Sequence, residues 1–320
     1  TRMRRACDSI VDRVGTSPTE DATRSELRLG AYPRVFAGAP PHAALGETGG
    51  LAPKSTRGFV NAGLRKVSRV SIAEMSWPSD GARLSYPDWI VERFTAELGD
   101  DAMPALERMN EAPSVTARAD GYIQDESSQW VAAAVGADGG ERVLDVCAAP
   151  GGKATAMATA GARVVAADQR LGRARLVQEN AVTLDLDVPV VAADGLMPPF
   201  RPSSFDAVLL DAPCSGLGAL RRRADARWRI REHDVGELAD LQARLLAAAG
   251  PLVAPGGRLV YGVCTITAAE SIDLPMPEGF EVDSTPPPVG TWRPFERGWR
   301  VLPQDADTDG MVLIRYRRVP

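Results

Sequence analysis

Two cysteines stand directly after apolar runs of the kind that form β-strands. Cys214 lies in the segment Asp211–Gly218 (DAPCSGLG), and Cys264 follows the run that ends Tyr261-Gly-Val. A third apolar run opens a glycine loop in Val143–Lys153 (VLDVCAAPGGK). In a parallel sheet the carboxyl ends of such strands meet at one ligand-binding crevice. The pattern therefore predicts two thiols at the rim of a nucleotide-cofactor site.

Few reactions need two thiols at such a site, and cytosine C5 methylation in RNA is the leading candidate. Addition of a thiolate to C6 makes C5 a carbanion-like nucleophile that can attack a cofactor's methyl group. The cytosine must first leave its stack to reach the pocket. After methyl transfer the C5 proton must leave and the thiol must be expelled. We expect Asp211 to hold the cytosine's amidine edge and Lys153 to tune the nearby charge. This chemistry leaves open which thiol attacks.

The alternative for a single cysteine at a strand end is a small buried hydrophobe. Two thiols at the carboxyl ends of two strands favour the catalytic interpretation for Cys214 and Cys264. Cys147 lies inside the glycine loop, so we interpret its side chain as packing and its backbone as a cofactor contact.

The glycine loop differs from dinucleotide and phosphate-loop motifs. Its small residues and the helix start that follows suit a carboxylate, such as the methionine end of S-adenosylmethionine. Asp168, Asp194 and Asp211 end the next three strands, and Asp168 stands where such folds place an acid for ribose hydroxyls. Each acid alone could instead be a helix cap or a turn residue. The predicted cofactor-binding residues are Cys147, Ala148, Ala149, Pro150, Gly151, Gly152, Lys153, Asp168, Asp194 and Asp211.

From Gly121 onward, strand and helix patterns alternate, which predicts an α/β fold with a Rossmann-like parallel sheet. The apolar segment Gly310–Tyr316 predicts a final antiparallel edge strand. Residues 1–70 read as helical and carry 12 Lys and Arg against 6 Asp and Glu. The predicted strands are 143–147, 163–167, 189–192, 207–210 and 258–263, with helices at 152–160, 170–183 and 236–253.

Composition excludes several classes of protein. No apolar run reaches the roughly 18 residues of a membrane span, and the start lacks a signal-peptide core. The four cysteines are widely spaced, which argues against zinc or disulfides and favours a reducing cytoplasm. The two histidines, His42 and His233, match no metal or triad pattern. We therefore expect a cytoplasmic protein, acting as a monomer, without metal.

An arginine-rich segment, Arg221–Arg231, directly follows the Cys214 loop. Its arginines and tryptophan suit phosphate contacts and base stacking beside the catalytic pocket, although a solvated helix face is the simpler alternative. The residues predicted to bind RNA are Arg221, Arg222, Arg223, Arg227, Trp228 and Arg229.

Three motifs resemble the signature of the Sun/Nop2 family of RNA cytosine-5 methyltransferases: Asp145–Lys153, Asp211–Gly218 and Gly262–Thr265. Gln124–Gln129 resembles the lead-in of that family, and the resemblance spans about residues 121–320. It implies S-adenosylmethionine as methyl donor, Cys264 as the nucleophile and Cys214 as the group that aids product release. The family usually has Thr-Cys-Ser at the nucleophile and Glu-Asn after it, whereas this chain has Val-Cys-Thr and Glu270-Ser.

The N-terminal segments Leu27–Tyr32, Pro41–Thr48 and Gly58–Ser68 resemble the NusB-type helical RNA-binding domain of the bacterial 16S rRNA branch. This predicts a shortened NusB-like domain at 1–72, a linker or small α+β subdomain at 73–120 and the methyltransferase domain at 121–320. The expected substrate is 16S rRNA. The rival hypotheses are the same chemistry on tRNA, a non-catalytic RNA-binding or ribosome-assembly factor, and a small-molecule methyltransferase.

Overall fold

The computed structural model describes residues 1–15, 20–40 and 52–320, and the chain divides into two compact units, Thr1–Thr95 and Ala96–Pro320. Within those described ranges no helix is long and apolar enough to cross a membrane.

In the described residues of the first unit, every element of regular secondary structure is a helix. Its apolar positions recur at helical spacing and pack into one core around Ile10, Leu27, Val60 and Leu64, all nearly inaccessible to solvent. The segment Pro41–Thr48, part of the N-terminal resemblance, lies outside the described residues. The α-helices of this unit are α1 (Arg4–Arg13), α2 (Asp21–Val35), α3 (Arg57–Val67), α4 (Asp80–Leu84) and α5 (Asp88–Leu98), the last continuing into the second unit.

The second unit alternates strands and helices from residue 126 onward, as the sequence predicts. Its helices are α6 (Ala102–Arg108), α7 (Glu126–Ala134), α8 (Gly152–Thr159), α9 (Leu171–Thr183), α10 (Asp234–Ala249) and α11 (Pro303–Ala306). Its strands are β1 (Arg142–Asp145), β2 (Arg163–Asp168), β3 (Val190–Ala192), β4 (Phe205–Asp211), β5 (Val253–Val263), β6 (Phe280–Val282), β7 (Arg293–Phe295), β8 (Gly298–Val301) and β9 (Met311–Arg318).

These strands form one sheet in the order β3-β2-β1-β4-β5-β9-β8-β7, and β1 to β5 run parallel. The reversal of strand order beside β1 creates the crevice at which such sheets bind ligands. Alternate residues of the central strands point into two apolar cores, one on each face, with Val143 in one and Leu144 in the other. The predicted Rossmann-like fold with a helical N-terminus is confirmed.

The predicted final edge strand needs a correction. β9 is antiparallel to β5, as expected, but it lies inside the sheet rather than at its edge. The first half of β9 also pairs with β8 and its last residues pair with β6. Because β9 has neighbouring strands on both sides, Met311 to Ile314 are all buried.

Candidate active site

The glycine loop joins β1 to α8 and approaches the neighbouring helix closely. Gly151 has φ +111°, and a Cβ built there would lie 3.1 Å from the Cα of Val177. Only glycine fits such a position without strain. The backbone therefore turns tightly at Gly151, and α8 begins at Gly152 with its first N–H groups at the crevice.

Asp145 ends β1 beneath this loop and is 1% exposed. Burial, together with the charge of Asp211, raises the pKa of the Asp145 carboxyl to about 8. Within the described part of the chain, neither of its carboxyl oxygens has a hydrogen-bond partner. Buried polar atoms without a partner are costly, so an unpaired carboxyl at a cavity wall indicates a place for a ligand that donates hydrogen bonds.

Asp168 and Asp194 end β2 and follow β3, as predicted. Asp168 is buried and accepts hydrogen bonds from Arg170 N (3.0 Å) and from Arg173 Nε (3.3 Å). Asp194 is half-buried and accepts a hydrogen bond from Leu196 N at 2.9 Å. Both acids thus stand where the sequence predicts the cofactor crevice, and each also shapes its own turn.

Lys153, on the first turn of α8, reaches across to the end of β4. Its Nζ donates a hydrogen bond to Asp211 Oδ2 at 2.7 Å, and its side chain is only 12% exposed. Burial acts to lower the pKa of the Lys153 ammonium, but the charge of Asp211 and the hydrogen bond to it hold that pKa above its usual value. Lys153 is therefore a fixed positive charge in a site that excludes most water.

The two predicted cysteines meet beside this ion pair. Cys214 follows β4, Cys264 follows β5, and their Sγ atoms lie 3.3 Å apart. The hydrogen bond between the two thiols lowers the pKa of Cys264 against the effects of burial and of the Asp211 charge, and the charges of Lys153 and Arg223 also lower it. The same hydrogen bond and burial raise the pKa of Cys214 well above its usual value. The surroundings therefore favour ionisation of Cys264 over that of Cys214.

A cavity of about 240 Å³ opens onto these groups. It brings together residues from all three motifs and from the arginine-rich segment. Cys147, Asp168, Asp194 and Cys214 are not among the residues that line it. The lining includes Asp145, Ala148, Ala149, Pro150, Gly152, Lys153, Asp211, Arg222, Arg223 and Cys264.

Sequence reasoning missed an ionic cluster on the same cavity wall. Asp125, which caps α7, and the buried Asp309 both line the cavity, and Arg222 pairs with each of them, at 2.6 and 3.3 Å. Burial and the charge of Asp125 raise the pKa of Asp309 to about 7. Asp125 lies in the Gln124–Gln129 motif, which was the only sequence signal for this cluster.

The arginine-rich segment divides into buried and exposed side chains. Arg221 is 2% exposed, pairs with Asp307 and donates to Ala112 O at 2.8 Å. Arg227 is fully buried and donates to Asn110 Oδ1 at 2.8 Å. We assign both of these side chains a structural role in place of the predicted RNA contact, because a guanidinium enclosed by protein cannot reach a phosphate.

The remaining residues of the segment are at least partly accessible. Arg223 is exposed and lines the cavity, Trp228 is half-buried, and Arg229 is exposed and pairs with Asp225. Arg222 is partly exposed but engaged by its two carboxylates. Arg223 is thus the arginine that combines exposure with a place beside the thiols.

Comparison with known proteins identifies the family of the chain. A family model described as 16S rRNA methyltransferase RsmB/F matches residues 132–314. The ribosomal RNA small subunit methyltransferase B of Cronobacter sakazakii is 31% identical over 304 residues, which cover 77% of this chain and 70% of the relative. The enzyme of the same name from Erwinia tasmaniensis is 31% identical over 322 residues, covering 82% and 75%.

Solved structures show the same architecture. The crystal structure of PH0851 superposes with a TM-score of 0.78 at 20% identity, covering 99% of this chain and 87% of that protein. NSun6 from Pyrococcus horikoshii, crystallised with SFG, gives a TM-score of 0.56 at 25% identity, covering 62% and 53%.

These matches confirm the family-level predictions, namely the resemblance to RNA cytosine-5 methyltransferases, 16S rRNA as substrate and S-adenosylmethionine as cofactor. The matched region includes the glycine loop, both cysteine motifs and the whole parallel sheet. The chain belongs to the RsmB/F family of 16S rRNA methyltransferases and is an S-adenosylmethionine-dependent RNA cytosine-5 methyltransferase.

Proposed function

We propose that methyl transfer by this chain proceeds through a covalent adduct between Cys264 Sγ and C6 of the target cytosine, with Cys214 as the residue that aids release. The observation that carries this proposal is the pair of thiols, 3.3 Å apart at the ends of adjacent parallel strands, with Cys264 on the cavity wall. The order of the two roles is the one that the family resemblance implies. The positive charges of Lys153 and Arg223, which lower the pKa of Cys264, support it.

The reaction needs four changes of bonding at the base. The Cys264 thiolate adds to C6, and the electron pair moves to C5, which forms a bond to the donated methyl group. The C5 proton then leaves to a base, and the Sγ–C6 bond breaks, so that the product is 5-methylcytidine and a thiolate. Cys214 lies 3.3 Å from Cys264, so its S–H can hydrogen-bond the departing sulfur and stabilise the thiolate that release leaves.

Lys153 and Asp211 act on the ring edge opposite C5 and C6 in this proposal. The Asp211 carboxylate accepts a hydrogen bond from the cytosine's amino edge and stabilises a protonated N3 as negative charge builds in the ring. Lys153 holds that carboxylate in place through its 2.7 Å hydrogen bond and keeps the site electropositive for the thiolate. Both groups are positioned before the base enters, because they lie on α8 and β4.

The cofactor region fits S-adenosylmethionine, which supplies an electrophilic methyl group when bound. The unpaired oxygens of Asp145 offer acceptors at the cavity wall, and the start of α8 suits the methionine carboxylate. We assign the ribose hydroxyls to Asp168, by its place at the end of β2, and further contacts to Asp194 and to the loop residues Cys147–Gly152. These roles remain part of the proposal.

Trapping tests the thiol assignment. Cys214→Ser should stall after addition and accumulate a protein–RNA adduct that survives denaturing electrophoresis. Cys264→Ser should abolish both turnover and the adduct. An adduct trapped by Cys264→Ser instead would reverse the two roles, and its absence from both variants with bound RNA would exclude the covalent route.

Methyl transfer tests the substrate. Labelled S-adenosylmethionine is supplied with unmodified 16S rRNA and, in parallel, with tRNA, and the modified nucleosides are identified by mass. 5-Methylcytidine in 16S rRNA alone is the expected result. Label in tRNA alone would keep the mechanism and change the substrate, whereas no transfer by the folded protein would favour a ribosome-assembly role.

The basic N-terminal segment supports RNA binding by a NusB-like domain at residues 1–72, with the linker at 73–120 and the catalytic domain at 121–320. A cytoplasmic location agrees with four cysteines that are all free thiols. Light scattering in solution tests the expectation that the enzyme is a monomer.

A further inference from the structure

The carboxylate of Glu270 lies fully buried between the two loops that carry the thiols. Its Oε1 accepts hydrogen bonds from Ser215 N (2.7 Å) and Gln242 Nε2 (3.2 Å). Its Oε2 accepts from Ser215 Oγ (2.6 Å), Thr265 Oγ1 (3.0 Å) and Thr267 Oγ1 (2.8 Å). A buried carboxylate with this many donors is well satisfied, and hydrogen bonds to a charged group are about twice as strong as neutral ones.

Two of the residues that donate hydrogen bonds to Glu270 directly follow the cysteines in the sequence. Ser215 follows Cys214 and Thr265 follows Cys264, and the two hydroxyls also lie 3.0 Å from each other. Gln242, fully buried on α10, adds a hydrogen bond to Pro213 O at 2.8 Å, directly before Cys214. One carboxylate therefore ties the loop after β4 to the loop after β5.

Strand pairing alone does not set the distance between the thiols. The last paired residues of β4 and β5 are Asp211 and Gly262, so each cysteine lies beyond the ladder, in irregular backbone. Beyond the ladder one backbone hydrogen bond joins the loops, from Gly218 N to Cys264 O at 3.0 Å, and the side-chain contacts of both loops converge on Glu270. Glu270 does not line the cavity that the described residues enclose, so its influence on the base must pass through the thiols.

We propose that Glu270 is a positioning residue that holds Cys214 and Cys264 in the register needed for addition and release. This inference rests on the proposed two-thiol mechanism. Glu270 also contributes charge, since it is one cause, after the Cys264 hydrogen bond and burial, of the raised pKa of Cys214. Loss of the carboxylate leaves the two loops joined only by weaker contacts, the Gly218 N to Cys264 O hydrogen bond (3.0 Å) and the Ser215–Thr265 hydroxyl pair (3.0 Å) among them. The Cys214 thiol can then move away from the sulfur whose release it aids.

Two variants separate shape from charge. Glu270→Gln keeps the shape and one acceptor, but it puts an amide donor against three hydroxyls that must rotate to accept. Glu270→Ala removes every hydrogen bond that the carboxylate accepts. The matched control is Glu141→Gln, because Glu141 pairs with Arg258 in the same unit and makes no contact with the thiol loops.

The expected result is a fall in kcat of about 100-fold for Glu270→Ala, the size that a displacement of about 1 Å can cause, and a smaller fall for Glu270→Gln. The KM for RNA and the Kd for S-adenosylmethionine should stay within about threefold of the control. The fraction of enzyme present as covalent RNA adduct during turnover should rise, because release is slowed more than addition. A general loss of stability would not raise that fraction.

A second readout needs no RNA. Alkylation of Cys264 by iodoacetamide, followed by mass spectrometry as a function of pH, reports the thiol directly. In both Glu270 variants the midpoint should move to higher pH, because Cys264 loses the hydrogen bond from Cys214. Folded Glu270 variants with an unchanged midpoint and no added adduct would overturn the proposal, even if kcat fell.

Two further experiments cover a Glu270 variant that does not fold and a covalent mechanism that fails. If Glu270→Ala does not fold, Thr267→Val and Ser215→Ala each remove one donor, and both should shift the same two readouts in the same direction. Adduct formation by Cys214→Ser with Glu270 intact tests the covalent mechanism separately. Failure there, with a shifted alkylation midpoint in the Glu270 variants, would refute the mechanism while keeping the positioning role.

Discussion

The Nζ of Lys153 lies 2.7 Å from Oδ2 of Asp211 and joins the first turn of α8 to the last residue of β4. This pair connects the cofactor loop with the thiol site, because the same ammonium lowers the pKa of Cys264. A single side chain thereby couples the two halves of the reaction, and its replacement should be visible in both.

Replacement of Lys153 should change the pH dependence of catalysis. Lys153→Met removes a positive charge that lowers the pKa of Cys264, so the thiol should ionise at higher pH. We expect kcat/KM near neutral pH to fall by about 100-fold and to recover in part as the pH rises. The measurement is the pH–rate profile, with Arg175→Met on the exposed face of α9 as the control. An ascending limb at the same pH as in the unmodified enzyme would contradict the role of this charge.

Asp145 should make stability depend on pH. Its folded pKa, about 8, lies above the value of about 3.9 for a free Asp, so the unfolded chain releases the proton first. Stability is then full below about pH 4 and falls as the pH rises to about 8. Asp145→Asn should be the more stable protein at pH 9, by several kcal/mol at about 1.4 kcal/mol per pKa unit. Denaturant melts from pH 4 to 9 provide the check.

The same substitution should weaken cofactor binding. A ligand that donates two hydrogen bonds to position 145 favours the ionised form of the Asp145 carboxyl. An amide cannot ionise and offers one acceptor, so one of those hydrogen bonds is lost. We expect the Kd for S-adenosylmethionine to rise by about tenfold or more, which isothermal titration measures. Unchanged affinity would place the ligand's donors elsewhere.

Arg227 and Arg229 should respond differently to truncation. Arg227→Ala removes the hydrogen bond to Asn110 Oδ1 and opens a cavity, which should cost about 3 kcal/mol. Arg229→Ala removes an exposed pair with Asp225, worth at most about 0.5 kcal/mol. Chemical denaturation of the two variants gives the comparison. Equal losses would mean that burial of Arg227 does not decide its role.

Arg223 is the arginine we expect to contact RNA. Arg223→Ala should weaken binding of 16S rRNA and reduce the slope of log K against log salt by about one. The measurement is a salt titration of RNA binding by fluorescence anisotropy. Arg175→Ala, also an exposed arginine, is the control and should leave the slope unchanged.

The parts of the site that sequence could predict follow from one geometric rule. Asp211, Cys214 and Cys264 stand at or just after apolar strand patterns, and parallel strands bring such ends together. Asp145 was not predicted as a site residue, although it ends the first such strand. The glycine loop could be predicted equally well, because small residues between a strand and a helix indicate close approach of the backbone to a ligand. The structure brings Asp145, Lys153, Asp211 and Cys264 to one cavity.

The parts that sequence could not predict depend on distant partners. The partners of Arg221 and Arg227 lie 86 and 117 residues away, so a run of arginines could not reveal which guanidinium groups are enclosed. The position of β9 depends on short strands with weak patterns, β6 and β8, which cover what looked like an edge. The contacts of Glu270 likewise require the folded loops.

The interior place of β9 has a consequence for synthesis on the ribosome. β5 carries Cys264 at its end, and it gains its second neighbour only when residues 311–318 have left the exit tunnel. Until then β5 is an open edge that exposes unpaired backbone. The parallel half of the sheet therefore keeps one unpaired edge until almost the whole of this sequence has emerged. A stalled nascent chain that lacks β9 would present the strand that carries Cys264 as an open edge, which other chains can pair with.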